Sequence, residues 1–263
     1  MVEWKKWIKH WVGWALYRSG LYRLLLRNRG TIVLFHRVDR RYPDNPITCT
    51  PEQFEAYCRF FARYFEVIPL SEMVARIEAG GDVGNTLCIT FDDGFRDNHT
   101  TAAPMLKRAD LPCTFFVTTG LIGTSDVPFW DEYYGIQSEW MTWEQVRELK
   151  DMGFSLGAHT VHHVDLGDTH GEAARREIDE SRRTLETEVD SPVPWFSYPF
   201  GREDQITPEN LDIVRDLGFR SCLSGFGGSV TADSELFPLP RLAVSPWYRS
   251  PFHFGWEMVF GNR

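Results

Sequence analysis

The sequence has few of the features that mark disulfide-bonded, exported or membrane-spanning chains. Its five cysteines are odd in number, dispersed and without a Cys-x-x-Cys pair, which argues against a disulfide framework and a thiolate zinc site. No apolar run approaches the roughly twenty residues that a transmembrane helix needs. Tryptophan and lysine interrupt any signal-peptide core near the start, and no small-residue cleavage site follows. We therefore expect a cytoplasmic location.

Several catalytic and binding motifs are also missing. There is no Gly-x-Ser-x-Gly elbow, which removes the basis for a serine-hydrolase interpretation. The glycine-rich stretch at 225–228 lacks the Lys-Ser/Thr of a phosphate-binding loop. The net charge of −9 argues against nucleic acid as a partner, because phosphate binding needs clustered basic surface.

Acidic residues are nearly absent from the first 30 positions, where Glu3 faces seven Lys or Arg. The net charge of this segment is +6, so the remaining residues carry about −15. Apolar residues recur there at roughly helical spacing: Trp4, Trp7, Ile8, Trp11, Val12, Trp14, Ala15, Leu21, Leu24 and Leu25. We predict that residues 1–29 form a basic, aromatic, amphipathic helix. It either lies in a membrane interface through residues 1–28, or packs on the protein body or a second subunit.

From residue 31 onward, apolar strand-like runs alternate with helical patterns and no linker interrupts them. The strand-like runs are 31–35, 65–70, 87–91, 113–117, 154–158, 195–198, 219–223 and 242–244. Helical patterns begin at 51 and recur at 71–79, 98–108, 142–151, 171–189 and 208–217. This alternation predicts an α/β fold over residues 30–263, a single distorted TIM-like (β/α) barrel of about seven strands. An open doubly wound sheet is the alternative.

The run Thr90-Phe91-Asp92-Asp93-Gly94 places two adjacent carboxylates at the end of a strand. Side by side they repel and raise each other's pKa, a conflict that a nearby cation would resolve. His159 and His163 follow another strand, and on a helical turn two histidines four apart can bind one ion. His162 offers a competing pairing. Because strand ends meet at one face of a barrel, these residues together indicate a metal-assisted hydrolase.

These motifs resemble those of the polysaccharide deacetylase family with a NodB-type domain, a group of carbohydrate esterases. The Asp-Asp run matches the first family motif, and His159-Thr160-Val161-His162-His163 matches the second, H-[ST]-x-x-H. Trp195-Phe196-Ser197-Tyr198-Pro199-Phe200-Gly201 is similar to the third motif of the exopolysaccharide branch. The resemblance implies that Asp93, His159 and His163 bind a divalent ion. Zinc is the first expectation, and cobalt, nickel or iron are alternatives.

The resemblance further implies that Asp92 is the general base and that the backbone N–H of Phe200 assists at the oxyanion, with Phe200 and Tyr198 at the substrate. Two motif residues depart from the family pattern. Ser197 stands where many members carry the arginine that orients the base, so Arg241 is our candidate for that partner and Arg202 the alternative. The Leu-x-His that usually supplies the general acid is missing, and His36 is our candidate to replace it.

The expected function is removal of acetyl groups from N-acetylated sugars of a polysaccharide, a glycolipid or another lipid-linked glycan. Two alternatives stay open at this point. Related barrels hydrolyse non-carbohydrate amides, and the two missing motif residues would also fit a glycan-binding module without turnover. The sequence leaves the oligomeric state open.

Overall fold

The structure is a computed structural model that describes residues 3–261, in which strands and helices alternate. The strands are β1 (Gly30–Phe35), β2 (Arg37–Val38), β3 (Thr48–Cys49), β4 (Glu66–Val67), β5 (Thr86–Phe91), β6 (Thr114–Val117), β7 (Ser155–Ala158), β8 (Trp195–Ser197), β9 (Ser221–Gly227), β10 (Ser229–Val230) and β11 (Leu239–Ala243). The α-helices are α1 (Glu3–Ser19), α2 (Leu21–Leu25), α3 (Pro51–Tyr64), α4 (Leu70–Glu78), α5 (Ala103–Arg108), α6 (Phe129–Tyr133), α7 (Trp143–Asp151), α8 (Gly171–Val189), α9 (Pro208–Asp216) and α10 (Pro251–Phe260). A π-helical turn at Asn98–Ala102 leads into α5, and a 3-10 turn at Glu203–Gln205 precedes α9.

Seven parallel strands close into a barrel. Their order around the ring is β1, β5, β6, β7, β8, β9 and β11, and β11 pairs back with β1. The predicted α/β barrel of about seven strands is confirmed, and the open doubly wound sheet is wrong. The run at 65–70 is shorter than predicted and lies off the ring, because β4 pairs only with the beginning of β5. β10 pairs antiparallel with the beginning of β1.

Successive side chains of β5 point alternately to the surrounding helices and to the inside of the barrel, and this determines where Asp92 lies. Leu87, Ile89 and Phe91 belong to the core shared with the surrounding helices. Cys88 belongs to a second cluster, whose strand members from β1, β6, β8, β9 and β11 point into the ring, while α4 joins it at the amino ends of the strands. Because side chains alternate along a strand, Thr90 and Asp92 follow Cys88 on the inner side. The first carboxylate of the Asp-Asp run is thus buried inside the barrel at the carboxyl ends of the strands.

The N-terminal segment consists of two helices where the sequence predicted one, because the chain turns at Gly20, which has φ 79°. One side of this segment is buried in the main core through Leu16, Tyr17, Tyr22 and Leu26. The Tyr17 ring stacks on Tyr22 at 4.5 Å and lies 4.8 Å from Phe60. Packing on the protein body therefore accounts for this side of α1 and α2. The tryptophans of α1 face the other way and are exposed.

Residues 1 and 2 of the predicted helix and 262–263 of the predicted domain lie outside the described residues, and the domain boundary at residue 30 stays a prediction. Among the helices of residues 3–261, none is both long enough and apolar enough to cross a bilayer.

A close contact between α1 and α10 gives a test of how tightly the segment is held. A Cβ at Gly13 would lie 2.1 Å from the carbonyl oxygen of Phe252. We expect Gly13→Ala to lower the free energy of unfolding by about 1–3 kcal/mol, because the overlap displaces one helix, even though alanine favours helix more than glycine does. Urea unfolding measures the change. A stabilised variant would show that α1 does not pack on α10 in this way.

The control for this test is Ala15→Gly, on the exposed side of the same helix. This substitution should lower the free energy of unfolding by no more than about 1 kcal/mol, which is the difference in helix propensity between alanine and glycine.

Candidate active site

Three side chains converge at the carboxyl ends of β5 and β7. Asp93 Oδ1 lies 3.3 Å from His159 Nε2 and 3.2 Å from His163 Nε2, and one ligand atom from each of the three residues lies within 4.8 Å of the others. All three residues are buried. Asp93 Oδ1 takes no hydrogen bond from either imidazole despite these distances, so its lone pairs are left without a partner in the described structure. A buried oxygen in that state fits a bound cation.

The backbone after β5 explains how adjacent carboxylates serve different partners. Asp93 has φ 79° and Gly94 has φ 92°, so the chain turns through the left-handed region directly after Asp92. Aspartate adopts this region more readily than most residues. The two carboxylates then diverge, with Asp92 inside the barrel and Asp93 facing the histidines. The Asp-Asp-Gly sequence therefore reflects a turn as well as chemistry.

The histidine motif is not on a helical turn, which corrects the geometry expected from the sequence. Residues 159–163 form an irregular loop in which Thr160 and His163 have φ 61° and 55°. These two left-handed residues fold the loop so that both Nε2 atoms face Asp93. His162 is exposed and its Nδ1 lies 2.7 Å from Glu177 Oε1, away from the cluster. The competing pairing through His162 is thus wrong.

The orientation of His159 is set by a hydrogen bond from its other nitrogen. Nδ1 lies 2.7 Å from the backbone carbonyl oxygen of Ser197, so Nδ1 carries the proton and donates it there. Nε2 then faces Asp93, and in the neutral ring it carries the lone pair by which imidazole binds metals. Burial lowers the pKa of His159, but the Asp92 and Asp93 carboxylates outweigh it and the pKa is raised. The cluster therefore favours positive charge at this point.

Asp92 is held by a buried pair of hydrogen bonds from Arg241. Nη1 donates to Oδ1 at 2.8 Å and Nη2 to Oδ2 at 2.6 Å, while Ser197 Oγ donates to Oδ2 at 2.9 Å. Arg241 Nη2 also donates to Ser197 Oγ at 2.7 Å, which closes a three-residue network. The arrangement is bidentate, and arginine is the side chain whose fork matches a carboxylate. Arg241 thus takes the place predicted for it opposite Asp92.

Arg241 is itself held in place from the other side. Its Nε donates to the carbonyl oxygen of Ser224 at 2.6 Å, and Nη1 donates to Thr90 Oγ1 at 3.2 Å. Burial is the strongest single influence and acts to raise the pKa of Asp92, but the Arg241 guanidinium, together with the nearby His159 and His36, outweighs it and keeps the pKa below its usual range. Burial also acts to raise the pKa of Asp93, but the His159 and His163 imidazoles hold it well below its usual range. The mutual rise in pKa expected of adjacent carboxylates is therefore overridden by their partners.

Arg202, the alternative partner of Asp92, is exposed and pairs with Asp204 through Nε and Oδ1 at 3.1 Å. The alternative is wrong for this structure. Arg202 does line the rim of the cavity described below.

A cavity of about 350 Å³ opens over these groups, of a size that fits a small ligand. Asp92, Asp93, His159, His163 and Arg241 form its polar floor. Its other lining residues are Leu34, His36, Asn45, Pro46, Ile47, Trp130, Tyr134, Tyr198, Phe200, Arg202, Gly225 and Ala243. All eight residues predicted for the site are thus brought to one cavity, and their roles stay predictions.

His36, Phe200 and Tyr198 differ in how they meet the cavity. Burial lowers the pKa of His36 against the attraction of Asp93 and Asp92, and its Nδ1 is buried without a partner in the described structure. Phe200 has φ 58° and its ring lies edge-on to His163 at 4.6 Å, half-exposed at the mouth. The Tyr198 ring is almost fully buried against Phe196, so it supports the wall of the cavity from the core.

Two residues of the site were not predicted as such. Ser197 was noted only as a replacement for an arginine, yet its hydroxyl and its carbonyl orient Asp92 and His159. Trp130 covers the cluster, with its ring 4.5 Å from His163 and 5.8 Å from Phe200. Its Nε1 is buried without a partner in the described structure and lies in the cavity wall. The aromatic stretch at 129–134 signals such a loop, but no local pattern shows which ring covers the site.

The loop that carries Trp130 is anchored by a buried ion pair. Arg37 Nη2 donates to Asp131 Oδ2 at 2.5 Å and Nη1 donates to Oδ1 at 3.3 Å, and Ser138 Oγ donates to Oδ2 at 2.7 Å. The Arg37 guanidinium also lies 4.0 Å from the centre of the Phe95 ring. Because Asp131 follows Trp130 directly, this pair fixes the position of the ring above His163.

Comparison with known proteins identifies this constellation. A family model described as polysaccharide deacetylase matches residues 80–222, which is more than half of the chain. The chain belongs to the polysaccharide deacetylase family. The resemblance inferred from the motifs is therefore confirmed, and the two family motifs at Asp92–Asp93 and His159–His163 lie within the matched span.

Among curated relatives of the family, the chain is 24% identical over 217 residues to the Bacillus subtilis (strain 168) protein YxkH, over 82% of this chain and 71% of that protein. It is 21% identical over 242 residues to a poly-beta-1,6-N-acetyl-D-glucosamine N-deacetylase of Staphylococcus epidermidis, over 83% of this chain and 80% of that one.

Among solved structures, the Streptococcus pyogenes deacetylase PplD in complex with acetate is similar with a TM-score of 0.72 at 22% identity, over 87% of this chain and 97% of that one. IcaB from Ammonifex degensii is similar with a TM-score of 0.67 at 22% identity, over 88% and 95% of the two chains. These likenesses show that the family fold is shared.

We expect His159→Ala and His163→Ala each to abolish stoichiometric binding of zinc or cobalt, because each removes one of three ligands. Titration of metal-stripped protein, followed by calorimetry or by the cobalt absorption spectrum, measures it. His162→Ala is the matched control and should bind like the unaltered chain. Equal loss in all three variants would contradict the assignment.

We expect Asp131→Asn to lower the free energy of unfolding by about 3–5 kcal/mol, because it leaves the Arg37 charge buried without its partner. The double variant Arg37→Met, Asp131→Leu should recover most of that loss, since no charge is then stranded. Urea unfolding measures both. Asp126→Asn, exposed in the same loop, should change little, and a comparable loss there would show that the ion pair is not the anchor.

Proposed function

We propose that the chain hydrolyses the acetamide groups of N-acetylglucosamine units in a polysaccharide, using a divalent ion bound by Asp93, His159 and His163. The observation that carries the proposal is Asp92. Its carboxylate is fixed by Arg241 and Ser197 directly beside the three candidate ligands, and it is not one of them. A group held in this way suits proton transfer next to a bound ion.

The ligand set fits a catalytic ion better than a structural one. One carboxylate and two neutral imidazoles leave coordination positions open for water and substrate, and nitrogen with oxygen donors suits zinc, with cobalt, nickel or iron as alternatives. A divalent ion bound there supplies Lewis-acid chemistry, polarising the acetyl carbonyl and making a bound water easier to deprotonate. The steps below belong to the residues of this chain.

Asp92 takes the proton of the attacking water. Its lowered pKa keeps the carboxyl ionised at neutral pH, so that it is ready to accept. The bidentate contact with Arg241 fixes both oxygens and prevents the side chain from becoming a fourth ligand. Ser197 fixes the positions of Asp92 and His159 relative to each other. Its hydroxyl donates to the Asp92 carboxylate, and its carbonyl oxygen accepts from His159 Nδ1.

His36 donates a proton to the departing amine. Because burial lowers its pKa, the free protein holds His36 neutral at neutral pH, and the proton has to reach it during the reaction. Asp92 lines the same cavity and has just gained a proton, so a transfer between them through substrate or water balances the reaction. The backbone N–H of Phe200 is the proposed donor to the oxyanion that forms at the acetyl carbonyl oxygen.

The aromatic rim favours a sugar over a linear amide. Trp130, Phe200 and Phe129 form a group of rings beside the cluster, with Phe129 and Phe200 6.2 Å apart. Such rings pack against the apolar faces of hexose units, while the buried Trp130 Nε1 can donate to a hydroxyl or carbonyl oxygen. The name of the Staphylococcus epidermidis relative supports a β-1,6-linked N-acetylglucosamine polymer as the first substrate to assay.

An inactive glycan-binding module is the weaker alternative. It depended on two missing motif residues, the arginine of the third motif and the histidine that supplies the general acid. Arg241 makes the contact that such an arginine would make, and His36, the candidate for the histidine, lines the same cavity. Hydrolysis of a non-carbohydrate amide is tested by the substrate panel below.

We expect the zinc-loaded chain to release acetate from β-1,6-linked N-acetylglucosamine oligomers, and Asp92→Asn to lower the rate about 10²- to 10⁴-fold, the usual contribution of a general base. Acetate is measured enzymatically, with peptidoglycan, lipid-linked sugars and simple acetamides as further substrates. Asp92→Asn should still bind one metal ion, because Asp92 is not a ligand.

Asp168→Asn makes the same chemical change at an exposed position and serves as the control. The proposal fails if the unaltered, metal-loaded chain releases acetate from none of the sugars, or if Asp92→Asn retains its full rate.

A further inference from the structure

The outward side of α1 carries the largest aromatic side chains of the N-terminal segment. We define the tryptophan face as Trp4, Trp7, Ile8, Trp11 and Trp14, whose side chains are between 42% and 58% exposed. At about 100° per residue these five positions lie on one side of the helix, and the buried Gly13 and Tyr17 lie opposite. A surface helix normally turns polar residues outward. On α1 the outward side is aromatic and apolar instead.

The inward side of α1 already has its partner, so it does not explain the tryptophan face. Lys9 Nζ pairs with Glu257 Oε1 at 2.5 Å and lies 4.3 Å from the centre of the Trp256 ring, and His10 Nδ1 lies 2.6 Å from Ser250 Oγ. The side of α1 that contacts the protein body therefore carries residues such as Lys9 and His10, which alternate with the tryptophans along the sequence. Exposed apolar surface of this extent, on one continuous element, is typical of an interaction site.

The apolar surface continues onto α2 and is flanked by basic residues. Leu21 and Leu24 are exposed on α2, at 50% and 58%. The basic side chains beside this surface are Lys5, Arg18, Arg23 and Arg27, all exposed. The segment carries a net charge of +6, while the rest of the chain carries about −15. An anionic surface would therefore attract this side of the molecule and repel the others.

The tryptophan face reaches the end of the barrel where the strands terminate. Trp7 lies under the guanidinium of Arg249, 4.2 Å from the ring centre, and His10 contacts Ser250. Arg249 and Ser250 lie on the connection from β11 to α10, which begins at the carboxyl end of β11. Trp247, on the same connection, is exposed as well. The Trp7 end of the tryptophan face thus lies at the same end of the barrel as the mouth of the cavity.

We propose that the tryptophan face binds the surface of a bilayer that contains anionic lipid, as a peripheral contact. Tryptophan rings favour the headgroup level of a bilayer, and lysine or arginine beside them binds anionic headgroups. A second copy of this chain fits the surface less well, because two such faces would bring their basic flanks together. The inference does not depend on the proposed deacetylase activity.

The test is co-sedimentation of the full chain with sonicated vesicles of phosphatidylcholine alone or with 30% phosphatidylglycerol, about a third of the lipid, for which the positive segment predicts preference. We expect binding to the anionic vesicles that weakens as salt is raised. Trp4→Ser, Trp11→Ser should bind the vesicles at least about tenfold more weakly, since two rings that insert into the bilayer surface are lost. Lys5→Gln, Arg18→Gln should weaken vesicle binding by about 25-fold, at roughly fivefold for each of the two charges.

The matched charge control is Arg59→Gln, Arg183→Gln, which removes two exposed arginines from α3 and α8. It should bind like the unaltered chain. Thermal unfolding and acetate release from a soluble oligomer should be unchanged in Trp4→Ser, Trp11→Ser, since neither ring touches the cavity.

Three results would overturn the proposal. Unaltered vesicle binding by Trp4→Ser, Trp11→Ser would remove the tryptophan face from the contact, and no binding of the full chain to anionic vesicles would remove the bilayer. Sedimentation velocity that shows a dimer, dissociated by Trp4→Ser, Trp11→Ser, would assign the surface to a second copy. A monomer whose binding to anionic vesicles weakens with salt would support the bilayer proposal.

Discussion

The buried ion pair between Arg241 and Asp92 is the contact on which the site depends. A carboxylate inside the barrel is costly unless it is paired and hydrogen-bonded, and Arg241 with Ser197 supplies both. With Asp92 held in place, the left-handed turn at Asp93 directs the second carboxylate to the histidines. The partner groups then set the pKa of each carboxyl below its usual range, against the effect of burial. One network thus separates two chemically identical side chains into two environments.

The sequence predicted much of this arrangement, because its strongest signals are local. Apolar runs and helical periodicity marked the ring strands and helices α3, α4, α5, α7, α8 and α9 to within a few residues, whereas α6 and α10 were not predicted. Strand-end positions placed Asp92, Asp93 and His159 on one face. Arg241 followed from the need of a buried carboxylate for a cation. The loop at residues 159–163 was expected as a helical turn, since nothing local shows that Thr160 and His163 adopt positive φ. The position of Trp130 depends on the Arg37–Asp131 pair across 94 residues, which no periodic pattern reveals.

The N-terminal segment shows why one amphipathic pattern supported two interpretations. Apolar residues surround α1 on more than one side, so the spacing matched both packing on the body and contact with a partner. The structure assigns the small and tyrosine positions to the body and leaves the tryptophans exposed. Leu16 and Tyr17 share a core with α10, which ties the helix rigidly to the barrel.

Arg241 comes from β11, the last strand to join the ring, and lies 149 residues beyond the carboxylate that it holds. During synthesis from the N-terminus, the motif residues of β5 and β7 emerge long before this arginine does. Until β11 inserts between β9 and β1, Asp92 has no buried cation beside it. Closure of the barrel and completion of the reactive centre are therefore the same event, so a chain that ends before β11 would carry the family motifs without the arginine that holds the base.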